Sequence, residues 1–277
     1  MSTLRASQGS AGCWLCGLPT EPHPALGPVG YWQCTGCGFV FQPHRGSAAD
    51  EAARYTADYF ADYGGQSYET PAPRMHEASQ RASLVQRHLA GGRILEVGAA
   101  SGYFVAECVR RGFQAEGIEP SAAAAQVARD RGIPVRTGTL ASAAALSRTY
   151  EAVCAWHVLE HLPQPVVALQ QLARLLERGG LLFLEVPNVS SVAARRHGLT
   201  WRHLEAANHV SQFDVQTLTR ALASAGFEQP SVETISWREY GRLLPLRVAF
   251  DAVAYGAPRR VHPARHELIR AVARAPR

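Results

Sequence analysis

The chain has 277 residues, enough for one large domain with a small companion, and its 47% apolar and 18% charged composition is that of a protein with a core. All 28 cationic residues are arginine, which excludes chemistry that needs an amine: Schiff-base catalysis, pyridoxal phosphate anchoring and the phosphate-binding lysine of a P-loop. The net charge of +5 is uneven, because residues 241–277 hold eight arginines against Asp251 and Glu267, a net of +6, and the remainder nets −1. The basic tail reads either as a solvated C-terminal helix or as a contact for an acidic partner or membrane surface. No apolar run reaches the roughly 18 residues of a membrane span and no continuous hydrophobic leader is present, so a cytoplasmic protein with reduced cysteines is expected.

Four of the six cysteines fall in the first 40 residues, in a Gly- and Pro-rich stretch that reads as a small separate module over residues 1–46. Cys13 and Cys16 form one C-x2-C knuckle and Cys34 and Cys37 a second, with 17 residues between them, the spacing of a four-cysteine zinc ribbon. A tetrahedral Zn²⁺ takes four thiolates at about 2.3 Å, and turns ending in Gly17 and Gly38 aim each pair inward, so these four are the expected ligands of a structural zinc. His23 and His44 are the nearby alternative ligands, and Cys108 and Cys154 read as buried thiols.

Residues 47–90 read as a helical connector or lid, with Tyr55, Tyr59 and Tyr63 on one helical face, either packed on the core or turned to a substrate. A helix from Met75 to Leu89 stops at Gly91-Gly92. Strand and helix then alternate over residues 91–240. The strands are Arg93 to Val97, Gln114 to Glu119, Ile133 to Thr137, Tyr150 to Trp156, Leu181 to Val186 and Phe227 to Ile235. The helices are Tyr103 to Arg111, Ala122 to Arg131, Pro165 to Glu177, closed by Gly179 and Gly180, and one capped by Asp214 and running to Ala225. The pattern predicts an α/β fold, a Rossmann-like doubly wound, mostly parallel sheet with helices on both faces. The tail, 241–277, reads as helical, from about Leu243 to Tyr255, and no seventh strand is expected.

The strand Ile94-Leu95-Glu96-Val97 runs into Gly98-Ala99-Ala100-Ser101-Gly102, and Glu119 ends the next strand 21 residues after Gly98. Small residues let the backbone approach a ligand, and a carboxylate after the second strand can accept both ribose hydroxyl protons, so this is nucleoside-site geometry. A dinucleotide fingerprint needs G-x-G-x-x-G. With Ala100 in the middle and Tyr103 at the last position, NAD is disfavoured.

Leu95 to Gly102 followed by Gly117-Ile118-Glu119-Pro120-Ser121 resembles the class I S-adenosylmethionine-dependent methyltransferase family. Glu96, Gly98, Ala99, Ala100 and Gly102 match its first motif, with Ala100 replacing the usual glycine. The resemblance makes Glu119 and Pro120 the ribose-binding segment, Thr139-Leu140 the adenine-contacting one, and Trp156 and His157, in Ala155 to His161, part of a motif beside cofactor and acceptor. The ribbon followed by Tyr59-Phe60 and Tyr63-Gly64 resembles a subgroup that includes sugar C-methyltransferases. His209 aligns with the second His of that subgroup's His-Glu-His segment, while Ala207 and Asn208 replace the first two residues.

The resemblance implies methyl transfer from a sulfonium, in which the protein positions the acceptor and removes its proton. His209 is the first candidate base and His157 the second, each with the alternative of a packed histidine. His161, His203 and Glu205 rank lower, and Asn208 is a residue that would orient His209 or polarise an acceptor carbonyl. The favoured reading is a small-molecule C- or O-methyltransferase acting on a sugar nucleotide or another biosynthetic intermediate. An RNA base methyltransferase is disfavoured by the −1 charge before residue 241, and a non-catalytic zinc-ribbon interaction protein is the third reading.

Overall fold

The computed structural model describes residues 12–43, 71–145, 148–236 and 266–276; the tyrosine-bearing segment, His44 and the helix expected over Leu243 to Tyr255 lie outside them. Three short strands, β1 (Thr20–Pro22), β2 (Trp32–Cys34) and β3 (Val40–Phe41), form a meander. A helix, α1 (Pro71–Gln86), leads into β4 (Arg93–Val97), α2 (Tyr103–Arg110), β5 (Gln114–Glu119), α3 (Ala122–Asp130), β6 (Val135–Thr137) and α4 (Leu140–Ala144). β7 (Tyr150–Trp156), α5 (Pro165–Arg174), β8 (Leu176–Pro187), α6 (Val192–His197), β9 (Ser211–Gln212), α7 (Val215–Ser224), β10 (Glu228–Ile235) and β11 (Leu268–Arg274) follow. No helix among the described residues is long and apolar enough to cross a membrane.

Seven strands form one sheet in the order β10-β11-β8-β7-β4-β5-β6, with β8, β7, β4, β5 and β6 parallel. The period-2 alternation of a strand divides its side chains between two layers. Leu95, Val97, Val153, Ala155, Leu182 and Leu184 pack with Leu169 and Leu172 of α5 and Leu218 and Leu222 of α7. Ile94, Ala152, Cys154 and Phe183 pack on the other face with Ala82 and Val85 of α1 and Phe104 and Val105 of α2. Both faces are covered, which is why these strands read as near-continuous apolar runs. Local chemistry starts the helices: Ser121 accepts the N–H of Ala124, and Asp214 and Thr217 cap each other reciprocally at the head of α7.

Three expectations are corrected. The tail is not helical over its described part: Leu268–Arg274 is a seventh strand, antiparallel to both β8 and β10, between which it is inserted. Its apolar residues are buried on both faces, so they form a run that periodicity cannot tell from a helix, and its Leu, Ala and Arg are good helix formers. The helix expected to reach Glu177 ends at Arg174, and Gly179 and Gly180 sit within β8 where its register with β7 shifts. The cysteine module is not separate, because β3 pairs with β9 to make a four-stranded sheet β1-β2-β3-β9, and Cys13, Leu15, Cys34, Phe39 and Phe41 share the core of the α5 and α7 layer.

β11 also brings in charge. Arg270 donates to Glu185 of β8 at 2.9 Å, and Arg81 of α1 donates to the other oxygen of the same carboxylate at 3.2 Å. Glu185 is fully buried and both guanidiniums are nearly so, so the network is one in which losing a partner leaves uncompensated charge. Glu185→Gln should therefore lower stability by about 3–5 kcal/mol in urea unfolding. A change under about 1 kcal/mol would show that the carboxylate is not what holds the two arginines.

Candidate active site

The turn after β4 is held by β5: the N–H groups of Gly98 and Ala99 both donate to the carbonyl of Ile118, at 2.9 and 3.1 Å. Gly98 has φ 73°, and a Cβ there would come within 2.6 Å of the Val158 side chain, so the backbone lies against the segment that follows β7. Ala100 has φ 45°, in the left-handed region where an L-residue is costly and glycine is favoured.

Glu119 ends β5 directly beneath this turn. Its carboxylate accepts the N–H of Ala100 at 2.9 Å through one oxygen and that of Ser121 at 2.8 Å through the other. Burial pushes the carboxyl up to about 7, against the pull of the Ser121 and Ala100 donors. Glu96 is also buried, and burial raises it well above the ordinary carboxylate value. Its Oε2 and the Ser101 hydroxyl oxygen are buried without a hydrogen-bond partner among the described residues. Gly138 donates to the Glu119 carbonyl at 2.9 Å, which sets Thr139, the cap of α4, and Leu140 beside that acid. Leu140 itself turns into the core.

At the end of β7 the two candidates of the His motif separate. Trp156 packs into the α1 and α2 layer, edge-on to Phe104 and beneath the Arg81 guanidinium. His157 has φ 57°, a strained backbone for a non-glycine residue. Its Nδ1 lies 3.2 Å from Glu160 Oε1 and its Nε2 4.0 Å from Glu185. Burial works to raise Glu160, but the bond to His157 and the nearby histidines hold it below the ordinary range.

Behind Glu160 lies a second group. His209, the first candidate base, is 3% exposed, and its ring meets His161 edge-on at 4.6 Å between centroids. His209 Nδ1 lies 2.9 Å from the His203 carbonyl, and its Nε2 lies 3.7 Å from Glu205. Burial lowers His209, takes His161 down to about 4 and His203 to about 3. The Asn208 backbone carbonyl lies 3.2 Å from His161 Nδ1.

The cysteine module holds this loop. The Tyr31 hydroxyl donates to the carbonyls of His209 at 2.6 Å and Leu204 at 3.2 Å, while Gln42 donates its backbone N–H to Val210 and a side-chain N–H to Ala206. The four thiol sulfurs lie within 4.8 Å of one another, with Cys13 to Cys37 at 3.6 Å and Cys16 to Cys34 at 3.5 Å. Zn–S bonds of about 2.3 Å imply tetrahedron edges near 3.8 Å, so the cluster has the size of a zinc site. Burial raises Cys13 and, to about 11, Cys37. Burial also opposes ionisation of Cys34, but N–H donors from Cys37 and Gly36 bring it down to about 7.

A family model described as a methyltransferase domain matches residues 69–232, more than half of the chain. The chain belongs to this methyltransferase family. Among curated relatives, the ubiquinone biosynthesis O-methyltransferase of Xanthomonas oryzae pv. oryzae is 33% identical over 112 residues, covering 38% of this chain and 47% of that protein. The enzyme of the same name from Burkholderia multivorans is 34% identical over 108 residues, covering 36% and 47%. The chain thus spans about half the length of the curated relatives it matches. Of the solved structures, a Thermotoga maritima methyltransferase aligns with a TM-score of 0.54 at 21% identity, covering 74% of this chain and 91% of that one. The Burkholderia thailandensis 1,6-didemethyltoxoflavin-N1-methyltransferase, solved with S-adenosylhomocysteine, aligns at 0.55 with 16% identity, covering 88% and 98%. These likenesses establish the fold.

Sequence reasoning missed Glu160, whose partner His157 is only three residues away, and the pairing of Glu185 with Arg81 and Arg270, which depends on a strand it did not expect. In this methyltransferase the strain at Ala100 is measurable. Ala100→Gly relieves the left-handed penalty at the expense of some unfolded-state entropy, and should stabilise by up to about 1 kcal/mol, a rise of a few degrees in Tm. A lower Tm would mean that the alanine is not strained there.

Proposed function

We propose that the protein transfers a methyl group from S-adenosylmethionine to a small-molecule biosynthetic intermediate, at oxygen or carbon, with a structural zinc in its N-terminal module. The observation that carries this reading is the buried Glu119 carboxylate set against the Ala100 turn, where a ribose diol would donate to it. The residues present fit the cofactor: the Gly98 to Gly102 turn presents only small side chains, and the Ser101 hydroxyl and Glu96 Oε2 are buried without hydrogen-bond partners among the described residues. Gly98, Ala99, Ala100, Gly102, Glu119, Pro120, Thr139 and Leu140 would hold it, with Glu96 beneath and the backbone at Trp156 and His157 alongside. When bound, S-adenosylmethionine supplies a methyl group on a sulfonium whose departing thioether is neutral.

What remains for the chain is to orient the acceptor and take its proton. His157 is the better placed base: it adjoins Val158, which packs on Gly98, and its side chain is 23% exposed against 3% for His209. Glu160 accepts a hydrogen bond from Nδ1–H and fixes the tautomer, which makes Nε2, buried 4.0 Å from Glu185, the basic nitrogen. His209 is set behind Glu160 in this reading. The four cysteines would hold zinc with a closed shell, bracing the loop that Tyr31 and Gln42 grip. The names of the curated relatives support O-methylation of a small acceptor. The engagement of Arg270 within the protein removes one cation from any RNA-binding face.

Labelled methyl transfer into an extract of the native host, with mass spectrometry of the product, tests the whole reading. Label in no small molecule would overturn it. His157→Ala should cut turnover by about 10²- to 10⁴-fold while leaving S-adenosylmethionine affinity unchanged by calorimetry. Equal losses in both would place this histidine with the cofactor instead. Because Glu119 titrates near 7 and its ionised form accepts the ribose protons, affinity should rise with pH, by up to about tenfold from pH 6 to pH 8. Glu119→Gln should abolish that slope, and a slope that survives would remove Glu119 from cofactor binding.

A further inference from the structure

We propose that Glu160, His161 and His209 form a second metal site, for a divalent first-row ion such as Zn²⁺, independent of the four cysteines. One donor atom from each lies within 4.8 Å of the others, and all three residues are buried. Two imidazoles and one carboxylate, with positions left over, are a donor set that zinc and its neighbours in the first row accept.

The surroundings are those a ligand set needs. His161 Nδ1 faces the Asn208 carbonyl at 3.2 Å and His209 Nδ1 faces the His203 carbonyl at 2.9 Å. A carbonyl only accepts, so each Nδ1 carries its proton and each Nε2 presents a lone pair. This outer hydrogen bond is the one that metal-bound histidines make. Glu160 uses Oε1 toward His157, while its Oε2 is buried with no hydrogen-bond partner among the described residues. A carboxylate oxygen left so is costly, and a cation bound there offsets that cost.

The two halves of the site are also fixed to each other. Glu160 and His161 sit in a single 3-10 turn just after β7, and His209 precedes β9. The Val210 N–H donates to the Glu160 carbonyl at 2.8 Å, and the Tyr31 hydroxyl clamps the His209 carbonyl from the other side. Glu205, 3.7 Å from His209 Nε2, is within reach as a further ligand. The ion would sit on the far side of Glu160 from His157, so that one carboxylate serves both.

The test counts metal in the full chain, purified with zinc present and freed of loose ions by gel filtration. Plasma mass spectrometry should find two zinc ions per chain. X-ray absorption at the zinc edge should show a mixed shell, with sulfur near 2.3 Å and nitrogen or oxygen near 2.0–2.1 Å. His161→Gln and His209→Gln should each reduce the count to one and leave an all-sulfur shell, with unchanged circular dichroism. Wild-type protein with one zinc and an all-sulfur shell overturns the proposal, as do variants that keep both ions. Should a variant fail to fold, the wild-type count and shell decide alone. Because the readout is metal, a loss of methyl transfer bears on the proposed function and not on this site.

Discussion

The structure depends on the parallel pairing of β4 with a neighbour on each side. Val97 stands opposite Ile118 of β5 and Ala155 of β7, so three strands end together at one edge of the sheet. From that common edge the Gly98 turn, Glu119 and His157 all emerge within a few residues of a strand end. A parallel sheet buried on both faces keeps this register, because a one-residue slip would move every apolar side chain to the wrong layer. The shared edge is therefore a consequence of core packing, and Glu119 and His157 inherit their positions from Leu95, Val97, Val153 and Ala155 beneath them.

Charge is placed where that edge can use it and compensated where it is buried. Glu119 is met by two backbone donors, Glu96 is raised by burial, and Glu185 is answered by Arg81 and Arg270. His157 bridges two of these systems, with Glu160 on one side and Glu185 on the other. Its strained backbone, like that of Ala100, lies at this edge of the sheet, and such strain persists only where packing over-determines the conformation.

The cysteine module participates in this architecture. By pairing β3 with β9 and packing Phe39 against Phe213, it closes over the loop that bears His203, Glu205 and His209. Tyr31 joins the two parts at atomic range, since its hydroxyl donates to the His209 carbonyl and accepts from Gln212. Whatever stabilises the four sulfurs thus also stabilises the position of the histidine loop, which gives a physical reason for the module and the methyltransferase domain to share one chain.

Much of this was determined by the amino-acid sequence alone, because the signals are local. The strand, turn and acid from Ile94 to Glu119, the cap at Asp214 and the two cysteine knuckles each rest on short-range rules of propensity, backbone sterics and ligand spacing. What only the tertiary structure decided was contact between distant segments. Leu268–Arg274 became a strand because a slot between β8 and β10 was open to it, and no periodicity within seven residues could reveal that. Arg270 became an internal partner of Glu185 for the same reason. Glu160, His161 and His209 came together because β7 and the loop before β9 end at the same place, and proximity across 48 residues is a property of packing rather than of spacing.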